Sequence, residues 1–369
     1  MGGFYMILEQ INPQLLALAE ESDVVLKDIY KKIDTICLSN SNRILSAFIE
    51  NRVSYSDFSD INGYGNYDEG RDKLEKIFAT VLGCEDALVR PQIMSGTNAI
   101  YLALSALLKH GDTMISLSGT PYDSLQEMIG IIGHSSQSLK ANGVHYEQIE
   151  LVHDDFDDEK IIERLKENNV KLVEIQRSRG YSHRKSLSIS KIERIISKIR
   201  EVNQDVIIMV DNCYGEFIET KEPTEVGADI MAGSLIKNPG GGLALTGGYI
   251  AGRKDLVEMI SYRLTTPGIG KECGLTFGTT RTVLQGFFMA PYITSQAVMG
   301  AIYCARMFEK LGYEVLPKYD DLRSDIIQVV RLKNADEVIA FCQGVQAAAP
   351  VDSYVKPEPW AMPGYEDEV

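Results

Sequence analysis

Residues 206–252, VIIMVDNCYGEFIETKEPTEVGADIMAGSLIKNPGGGLALTGGYIAG, decide the fold. Three short apolar runs in this stretch, at residues 206–210, 230–232 and 248–251, are separated by polar and glycine-rich turns. Runs of this length and character are typical of strands in a sheet that is covered on both faces. The stretch therefore predicts part of an α/β domain.

The same pattern extends outward along the chain on both sides. Apolar runs alternate with segments of helical length and periodicity, which predicts a largely parallel sheet with helices on both faces. Ligands of such sheets bind at the carboxyl ends of the strands. The further predicted strands are residues 87–89, 114–117, 144–151 and 172–175, and the predicted helices are residues 98–109, 124–133, 158–168, 190–202 and 254–263.

The two ends of the chain show other patterns. Residues 5–62 carry apolar side chains at helical spacing and predict a helical arm. Residues 71–84 predict an amphipathic helix that stops at Gly83, and residues 320–330 predict a helix near the carboxyl end. The predicted division of the chain is an arm at residues 1–62, a large domain at residues 63–262 and a smaller domain at residues 263–369.

Composition and charge exclude several classes of protein. The chain has 369 residues, of which 24% are charged and 44% are apolar, so a folded globular protein is expected and disorder is not. Its formal net charge is −15, and it has no basic block, so neither nucleic acid nor an anionic membrane surface is an expected partner. The six scattered cysteines are typical of reduced thiols, and we expect a cytoplasmic protein.

The sequence contains one stretch to consider as a membrane span, and two groups of residues to consider as metal ligands. Residues 282–305 carry no charge, but their polar residues and Pro291 favour a helix buried in protein over a membrane span. The acidic residues 154–159 are typical of a solvated helix start, and the five histidines lack the spacing of metal ligands. We expect no metal site.

The first of three candidate loops is MSGTNA, residues 94–99, at the start of a predicted helix. The backbone N–H groups that follow Ser95, together with the hydroxyls of Ser95 and Thr97, could hold a phosphate group. A serine before a helix is also a common N-terminal cap, so this loop alone leaves both interpretations open.

The other two loops supply a carboxylate and an amine. Asp211 ends the apolar run 206–210 and would need a cation, a metal or a protonated ring nitrogen as partner, or else it caps the next turn. Lys237 lies between an apolar strand end and a group of glycines that permit close approach of a ligand. A phosphate loop, a strand-end aspartate and this lysine together match the requirements of pyridoxal phosphate.

The loop at residues 233–252 and the run NGYGNYDEGRDKLE, residues 62–75, resemble the methionine gamma-lyase-like family, also called aluminium-resistance proteins. This family belongs to the fold-type-I pyridoxal phosphate enzymes and is related to the cystathionine beta-lyases. The resemblance covers nearly the whole chain. It implies a fold-type-I α/β domain that binds pyridoxal phosphate at residues 63–262 and a smaller α+β domain at residues 263–369, which related chains continue beyond the position of Val369.

The resemblance also implies roles for individual residues. Lys237 corresponds to the lysine that carries pyridoxal 5′-phosphate, Asp211 to the partner of the ring nitrogen, and Tyr122 to the aromatic residue that stacks on the ring; these three are the catalytic candidates. The residues that correspond to phosphate ligands are Gly96, Thr97 and Ser234, beside Ser95 of the same loop.

Two pairs of residues extend the predicted site. Tyr64 and Arg71 match a region that reaches the phosphate of a neighbouring subunit in related lyases, which implies a homodimer or homotetramer. Arg177 and Arg179 follow a predicted strand end and could bind a substrate carboxylate through their planar guanidinium groups.

The resemblance implies a carbon–sulfur lyase that acts on a sulfur amino acid, of the cystathionine beta-lyase or methionine gamma-lyase type. An aminotransferase, or another pyridoxal phosphate enzyme, would use the same lysine, aspartate and phosphate loop. A non-catalytic acidic protein that sequesters metal cations would use the net charge of −15 and would not need Lys237.

Overall fold

A computed structural model of the chain describes residues 11–167 and 169–360. A seven-stranded sheet lies at its centre, with the strand order β1-β7-β6-β5-β4-β2-β3. The strands are β1 (Asp86–Arg90), β2 (Thr113–Ser116), β3 (His145–Gln148), β4 (Val170–Gln176), β5 (Ile207–Asp211), β6 (Ile230–Ser234) and β7 (Gly248–Gly252). Each of them overlaps a strand that the sequence predicts.

Five neighbouring strands of the sheet, from β3 to β6, run parallel to one another. Strand β7 runs antiparallel to both of its neighbours, β6 and β1. The prediction of a largely parallel α/β sheet is confirmed. Because parallel strands end at the same edge, the carboxyl ends of β4, β5 and β6 lie side by side, and Gln176 is in register with Asp211.

The helices predicted between the strands are present, with ends that shift by a few residues, whereas the helix at residues 335–348 was not predicted. The α-helices of the described residues are α1 (Pro13–Glu50), α2 (Glu69–Val81), α3 (Gly96–Leu107), α4 (Asp123–Ile129), α5 (Asp158–Leu165), α6 (Ile189–Val202), α7 (Lys254–Leu264), α8 (Thr280–Lys310) and α9 (Ala335–Ala348).

The sheet separates two hydrophobic cores. One core contains side chains of α2, α5, α6 and α8, among them Phe78 and Phe287, whose rings stack with centroids 3.8 Å apart. The other core contains side chains of α3, α4 and α7, such as Ile100 and Leu125. Successive strand residues point to opposite faces, so Val210 enters the first core and Met209 the second. Both faces of the sheet are therefore covered.

The uncharged run at residues 282–305 lies within helix α8, which continues through Pro291. Its side chains Val283, Leu284 and Phe287 are buried in the first core. Among the residues that the structure describes, no helix combines the length and the apolar character that a membrane crossing requires.

The chain divides into two compact units. The larger unit comprises residues 31–299 and 323–327 and contains the whole seven-stranded sheet and both cores. The smaller unit comprises residues 1–30, 300–322 and 328–369. Its described part contains a hairpin of β8 (Glu314–Leu316) and β9 (Val329–Arg331), and helix α9. The predicted three-part division, with boundaries after residues 62 and 262, stays a prediction.

The prediction of a helix at residues 320–330 is wrong. The structure has bends there, followed by strand β9. The carboxylate of Asp325 accepts hydrogen bonds from the hydroxyl of Ser178 and the backbone N–H of Arg179 at 3.0 and 3.1 Å, and from the N–H of Ile327 at 3.1 Å. These contacts with a distant segment hold the backbone in a non-helical path.

Candidate active site

Asp211 is the last residue of β5 and lies at the edge where the parallel strands end. Its side chain is 3% exposed, and one carboxylate oxygen accepts the backbone N–H of Cys213 at 3.0 Å. Burial raises the pKa of Asp211 from 3.8 to about 6. In the part of the chain that the structure describes, no basic side chain forms an ion pair with this carboxyl, so its charge calls for a cationic ligand.

The amino end of helix α3 meets the ends of β5 and β6. Ser95 caps this helix, since its hydroxyl accepts the backbone N–H of Asn98 at 3.1 Å. A Cβ atom at Gly96 would lie 3.0 Å from the sulfur of Cys213 and 3.1 Å from Cβ of Ser234. A side chain at this position would therefore be in tighter contact than is usual, and glycine suits this close packing. The structure brings the predicted phosphate ligands Gly96, Thr97 and Ser234 to the same edge as Asp211.

Tyr122 lies beside this group, just before helix α4. Its hydroxyl is 3.1 Å from the hydroxyl of Thr97, and its backbone N–H donates to the side chain of Gln176 at 3.3 Å. Burial and the negative charge of Asp211 raise the pKa of Tyr122 above its usual range. Tyr122 is therefore a neutral phenol that is fixed near both Thr97 and Asp211.

Lys237 lies at the start of the glycine-rich loop that follows β6. Its ammonium group donates a hydrogen bond to the hydroxyl of Tyr214 at 2.6 Å and lies 4.5 Å from the centre of the tyrosine ring. Tyr214 has φ +70°, a left-handed conformation that a side chain of this size rarely adopts. Such strain is typical of functional sites, where the surrounding structure fixes the backbone.

The loop after Lys237 packs directly on helix α8. A Cβ atom at Gly241 would overlap the carbonyl oxygen of Gly286, and one at Gly286 would overlap the carbonyl oxygen of Gly240. The loop is also tied to the preceding turn, because the side-chain amide of Asn238 donates to the carbonyl of Glu216 at 2.9 Å. The lysine is thus carried by a loop with a fixed position against the core.

The arginines predicted to bind a carboxylate are engaged within the chain. Arg177 is fully buried and donates to Asn212 at 2.8 Å and to Glu219 at 3.0 Å. Arg179 is 2% exposed and donates to the carbonyl of Ser182 at 2.8 Å. Both guanidinium groups donate to partners within the chain, so this pair is a poor candidate for substrate binding.

The turn predicted to reach a neighbouring subunit holds one exposed and one buried residue. The side chain of Tyr64 is 83% exposed. Arg71 is 1% exposed, and its guanidinium donates to the carbonyls of Gly65 at 2.6 Å and Gly274 at 3.2 Å. Arg71 therefore holds this turn against its own chain, and of the two residues Tyr64 is the one available to a partner.

Three residues of the site were missed by sequence reasoning. Glu174 lies on β4, on the same face of the sheet as Asp211, and is fully buried. Arg184 donates to the carbonyls of Gln176 and Ser178, both at 2.7 Å, and its charge acts on Asp211. Tyr214 is the third. A charged residue inside the predicted strand 172–175 was a signal for Glu174, whereas nothing in the pattern indicated the positions of the other two.

A cavity of ≈ 430 Å³ opens beside the amino end of helix α3. Its lining includes Ser95, Thr97, Ser124 and Ser138, and is rich in hydroxyl groups. A cavity of this volume is in the range that small-molecule sites occupy.

The observed residues fit pyridoxal phosphate. A buried carboxyl without an ion-pair partner suits a protonated ring nitrogen, the amine of Lys237 suits an aldehyde, and the amino end of α3 suits a phosphate group. The fold and this arrangement define the chain as an α/β protein of the fold-type-I class, with its candidate site at the carboxyl ends of the parallel strands.

Comparison with known proteins gives the family. A model of the methionine gamma-lyase family matches residues 15–369, and the chain belongs to that family. It is 46% identical over 354 residues to the uncharacterized protein YnbB of Bacillus subtilis strain 168, an alignment that covers 96% of this chain and 84% of YnbB.

Solved structures agree with this assignment. A carbon-sulfur lyase involved in aluminum resistance from Clostridium novyi NT superimposes with a TM-score of 0.94 at 46% identity, covering 98% of this chain and 87% of that one. The pyridoxal-5′-phosphate dependent protein YhfS of Escherichia coli matches with a TM-score of 0.65 at 16% identity, covering 88% and 84% of the two chains, and supports the fold alone. The predicted family and fold are confirmed.

Proposed function

We propose that this chain is a pyridoxal phosphate-dependent carbon–sulfur lyase that acts on a sulfur amino acid. The observation that carries the proposal is a buried Asp211 at the end of β5, without an ion-pair partner among the described residues, together with the amine of Lys237 in the loop that follows the neighbouring strand β6. The family and the activity named for the Clostridium novyi relative support the choice of reaction.

The residues of the site would hold the cofactor at three points. Asp211 would bind its ring nitrogen, and Lys237 would bind its aldehyde carbon. The backbone N–H groups at the start of α3, with the hydroxyls of Thr97 and Ser234, would hold its phosphate group. Tyr122, bonded to Thr97, lies where its ring could pack on the cofactor.

The chemistry is divided between the cofactor and the chain. Bound pyridoxal phosphate supplies an electron sink for a substrate carbanion. The ionised carboxyl of Asp211 stabilises the positive ring nitrogen on which that sink depends. The nitrogen of Lys237 would remove the proton from Cα of the substrate. Tyr214 orients that nitrogen through the 2.6 Å hydrogen bond.

The proposed active unit is a homodimer or a larger homo-oligomer. Helices α1 and α8 together expose a set of large apolar side chains, which we call the α1–α8 patch: Leu45, Ile49, Phe288, Met289 and Tyr292. Phe288 contacts Phe48 with ring centroids 5.5 Å apart, which joins the two helices within the larger unit. Exposed apolar patches of this kind are typical of interfaces, and a second copy of the chain would cover this one.

The direct test is spectroscopic. The purified protein should show the absorbance of bound pyridoxal phosphate, and Lys237→Ala should lose it because the amine that binds the aldehyde is gone. Lys221→Ala removes an exposed lysine at another position and serves as the matched control. A chromophore in Lys237→Ala that borohydride still reduces would place the attachment at another residue.

The substrate is tested by product analysis. Cystathionine, cysteine and methionine are incubated with the loaded protein, and the released keto acid is identified. Pyruvate would show cleavage at Cβ, and 2-oxobutyrate would show cleavage at Cγ. Exchange of the amino group with an added keto acid, without release of a thiol or sulfide, would instead show an aminotransferase.

A further inference from the structure

Glu174 lies on β4, next to β5, and its level in the sheet is two residues before that of Asp211. The register of β4 and β5 pairs Glu174 with Met209 and Gln176 with Asp211, so Glu174 and Asp211 point to the same face. That face belongs to the second core, which contains Leu172 and Met209. A carboxyl group in such surroundings is costly when it is ionised, because the core replaces water with apolar side chains.

The hydrogen bonds around Glu174 indicate its protonation state. The hydroxyl of Ser116 lies 3.0 Å from one carboxyl oxygen of Glu174 and 2.9 Å from the carbonyl oxygen of Gly119. A serine hydroxyl has a single proton and can donate to one of these two acceptors. If Glu174 is protonated, it donates to Ser116, and Ser116 donates to Gly119, so every one of these oxygens is satisfied.

The second oxygen of Glu174 is buried and has no hydrogen-bond partner among the described residues. If Glu174 were ionised, this oxygen would carry about half of the negative charge of the carboxylate and would have no hydrogen-bond donor. A neutral carboxylic acid leaves a carbonyl oxygen there, which costs much less. The geometry of both oxygens therefore favours the protonated form.

The charged and titratable groups near Glu174 come from each neighbouring element. They are Asp211 at the end of β5, Arg184 after β4, Tyr122 before α4 and Tyr146 on β3. Burial and the charge of Asp211 raise the pKa of Glu174 from 4.5 to about 8, while the charge of Arg184 acts in the opposite direction. The two carboxyls thus titrate as a pair, and Asp211, which accepts an N–H from Cys213, loses its proton first.

We propose that Glu174 is a positioning residue that holds a proton at neutral pH and thereby leaves the negative charge of the carboxyl pair on Asp211. The carboxyl that faces the ring nitrogen is then the ionised one. The protonation of Glu174 is a property of this chain without cofactor, whereas its consequence for the ring nitrogen rests on the proposed function. Above the pH at which Glu174 ionises, a second negative charge would lie below Asp211.

The test uses the infrared C=O stretch of protonated carboxylic acids in the cofactor-free protein. The wild-type protein at pH 7 should show a signal that Glu174→Gln lacks, and the signal should disappear as the pH rises from 7 to 9. Glu216→Gln is the matched control, since Glu216 is also fully buried but bonds to Tyr249 instead. That control should keep the signal assigned to Glu174.

A spectrum in which Glu174→Gln and the wild type show the same protonated carboxyl signals at pH 7 would overturn the proposal. If Glu174→Gln does not fold, the readout uses ¹³C-glutamate-labelled Glu216→Gln, because burial also raises the pKa of Glu216 to about 8 and the wild type would carry both signals. Absence of a protonated glutamate signal that is lost between pH 7 and 9 again contradicts the proposal. Because the measurement needs no cofactor or substrate, it can fail or succeed independently of the proposed lyase activity.

In the loaded protein the readout is the pH profile of the cofactor absorbance. The wild type should show a transition near the pH at which Glu174 ionises, and Glu174→Gln should lack it while it keeps the same spectrum at pH 7. A purely structural role would lower the stability of the variant without removing a titration step. Identical pH profiles in the two proteins would contradict the proposed coupling to Asp211.

Discussion

At the scale of single residues, the charge of Asp211 links cofactor binding to pH. Its pKa is raised to about 6 by burial, so in the cofactor-free protein the carboxyl takes up a proton as the pH falls through 6. A cationic ring nitrogen binds the ionised form. We therefore expect Asp211 to contribute a roughly tenfold fall in the affinity for pyridoxal phosphate for each pH unit below about 6. Equilibrium titration of the cofactor between pH 5 and 8 measures this.

Asp211→Asn is the matched control for this linkage, because an amide of the same shape does not titrate. The variant should lose the pH dependence that comes from Asp211 and most of its lyase activity, since a neutral amide does not stabilise the positive ring nitrogen. Each tenfold loss of rate corresponds to about 1.4 kcal/mol of transition-state stabilisation. A variant with wild-type activity would make Asp211 a structural cap.

Tyr214 gives a second prediction at this scale. Tyr214→Phe removes the hydroxyl that accepts the 2.6 Å hydrogen bond from Lys237 and keeps the ring. We expect the cofactor to bind with little change and kcat to fall roughly tenfold, because the lysine nitrogen loses its fixed orientation. Stopped-flow measurement of Cα proton removal distinguishes this from a binding effect. An unchanged rate would show that the contact has no part in proton transfer.

The sequence predicted which residues lie at strand ends better than it predicted their contacts. Asp211 and Lys237 follow apolar runs, and a parallel sheet brings such positions to one edge. The left-handed backbone of Tyr214 depends on packing that no local pattern encodes. Likewise, Arg177 and Arg179 follow a strand end as predicted, but their guanidinium groups donate to Glu219 and to the carbonyl of Ser182 within the chain.

At the scale of elements, the packing of the lysine loop on helix α8 gives a prediction. Gly286→Ala would place a methyl group against the carbonyl of Gly240, so the loop or the helix must move. We expect a loss of about 1–3 kcal/mol in the free energy of unfolding, together with weaker cofactor binding, because the displaced loop carries Lys237. Urea unfolding and cofactor titration measure the two effects.

Gly300→Ala in the same helix is the control. Among the described residues, no atom beyond the adjoining backbone of the helix lies within 4 Å of a Cβ atom built at Gly300, so alanine adds helix propensity without a clash. The expected change is a gain of about 0.5–1 kcal/mol. Equal effects of the two substitutions would show that the contact between the loop and α8 does not hold the lysine in place.

Elements of the sheet were predictable because burial on two faces leaves a clear apolar run in each strand. The direction of β7 could not be predicted, because an apolar run such as residues 248–251 is the same for a parallel and an antiparallel strand. The error at residues 320–330 has a similar origin. Helical periodicity was present there, but the hydrogen bonds of Asp325 to Ser178 and Arg179 outweigh local preference.

At the scale of the whole molecule, the α1–α8 patch predicts self-association. Phe288→Glu places a charge in the centre of the patch and should convert an oligomer into monomers, because burial of an unpaired carboxylate is unfavourable. Val152→Glu changes an exposed apolar residue outside the patch and is the control. Sedimentation velocity distinguishes the species. A wild-type protein that is monomeric and active would exclude the proposed interface.

A shared site predicts complementation between inactive subunits. Tyr64 is the exposed residue of the turn that would reach a neighbour, so Tyr64→Ala and Lys237→Ala would inactivate different halves of a shared site. Mixed dimers should regain one intact site and measurable lyase activity. If subunit exchange is shown to occur and no activity returns, Tyr64 does not contribute to a partner's site.

The antiparallel strand β7 also determines the order in which the sheet can be completed. It lies between β6 and β1, so β1 leaves the ribosome long before its only hydrogen-bonding neighbour in the described sheet has been synthesised. Until residues 248–252 insert, both β1 and β6 expose open edges that can pair with other chains. Folding should therefore be slow and late, and a nascent chain that stops before residue 248 should aggregate or require a chaperone.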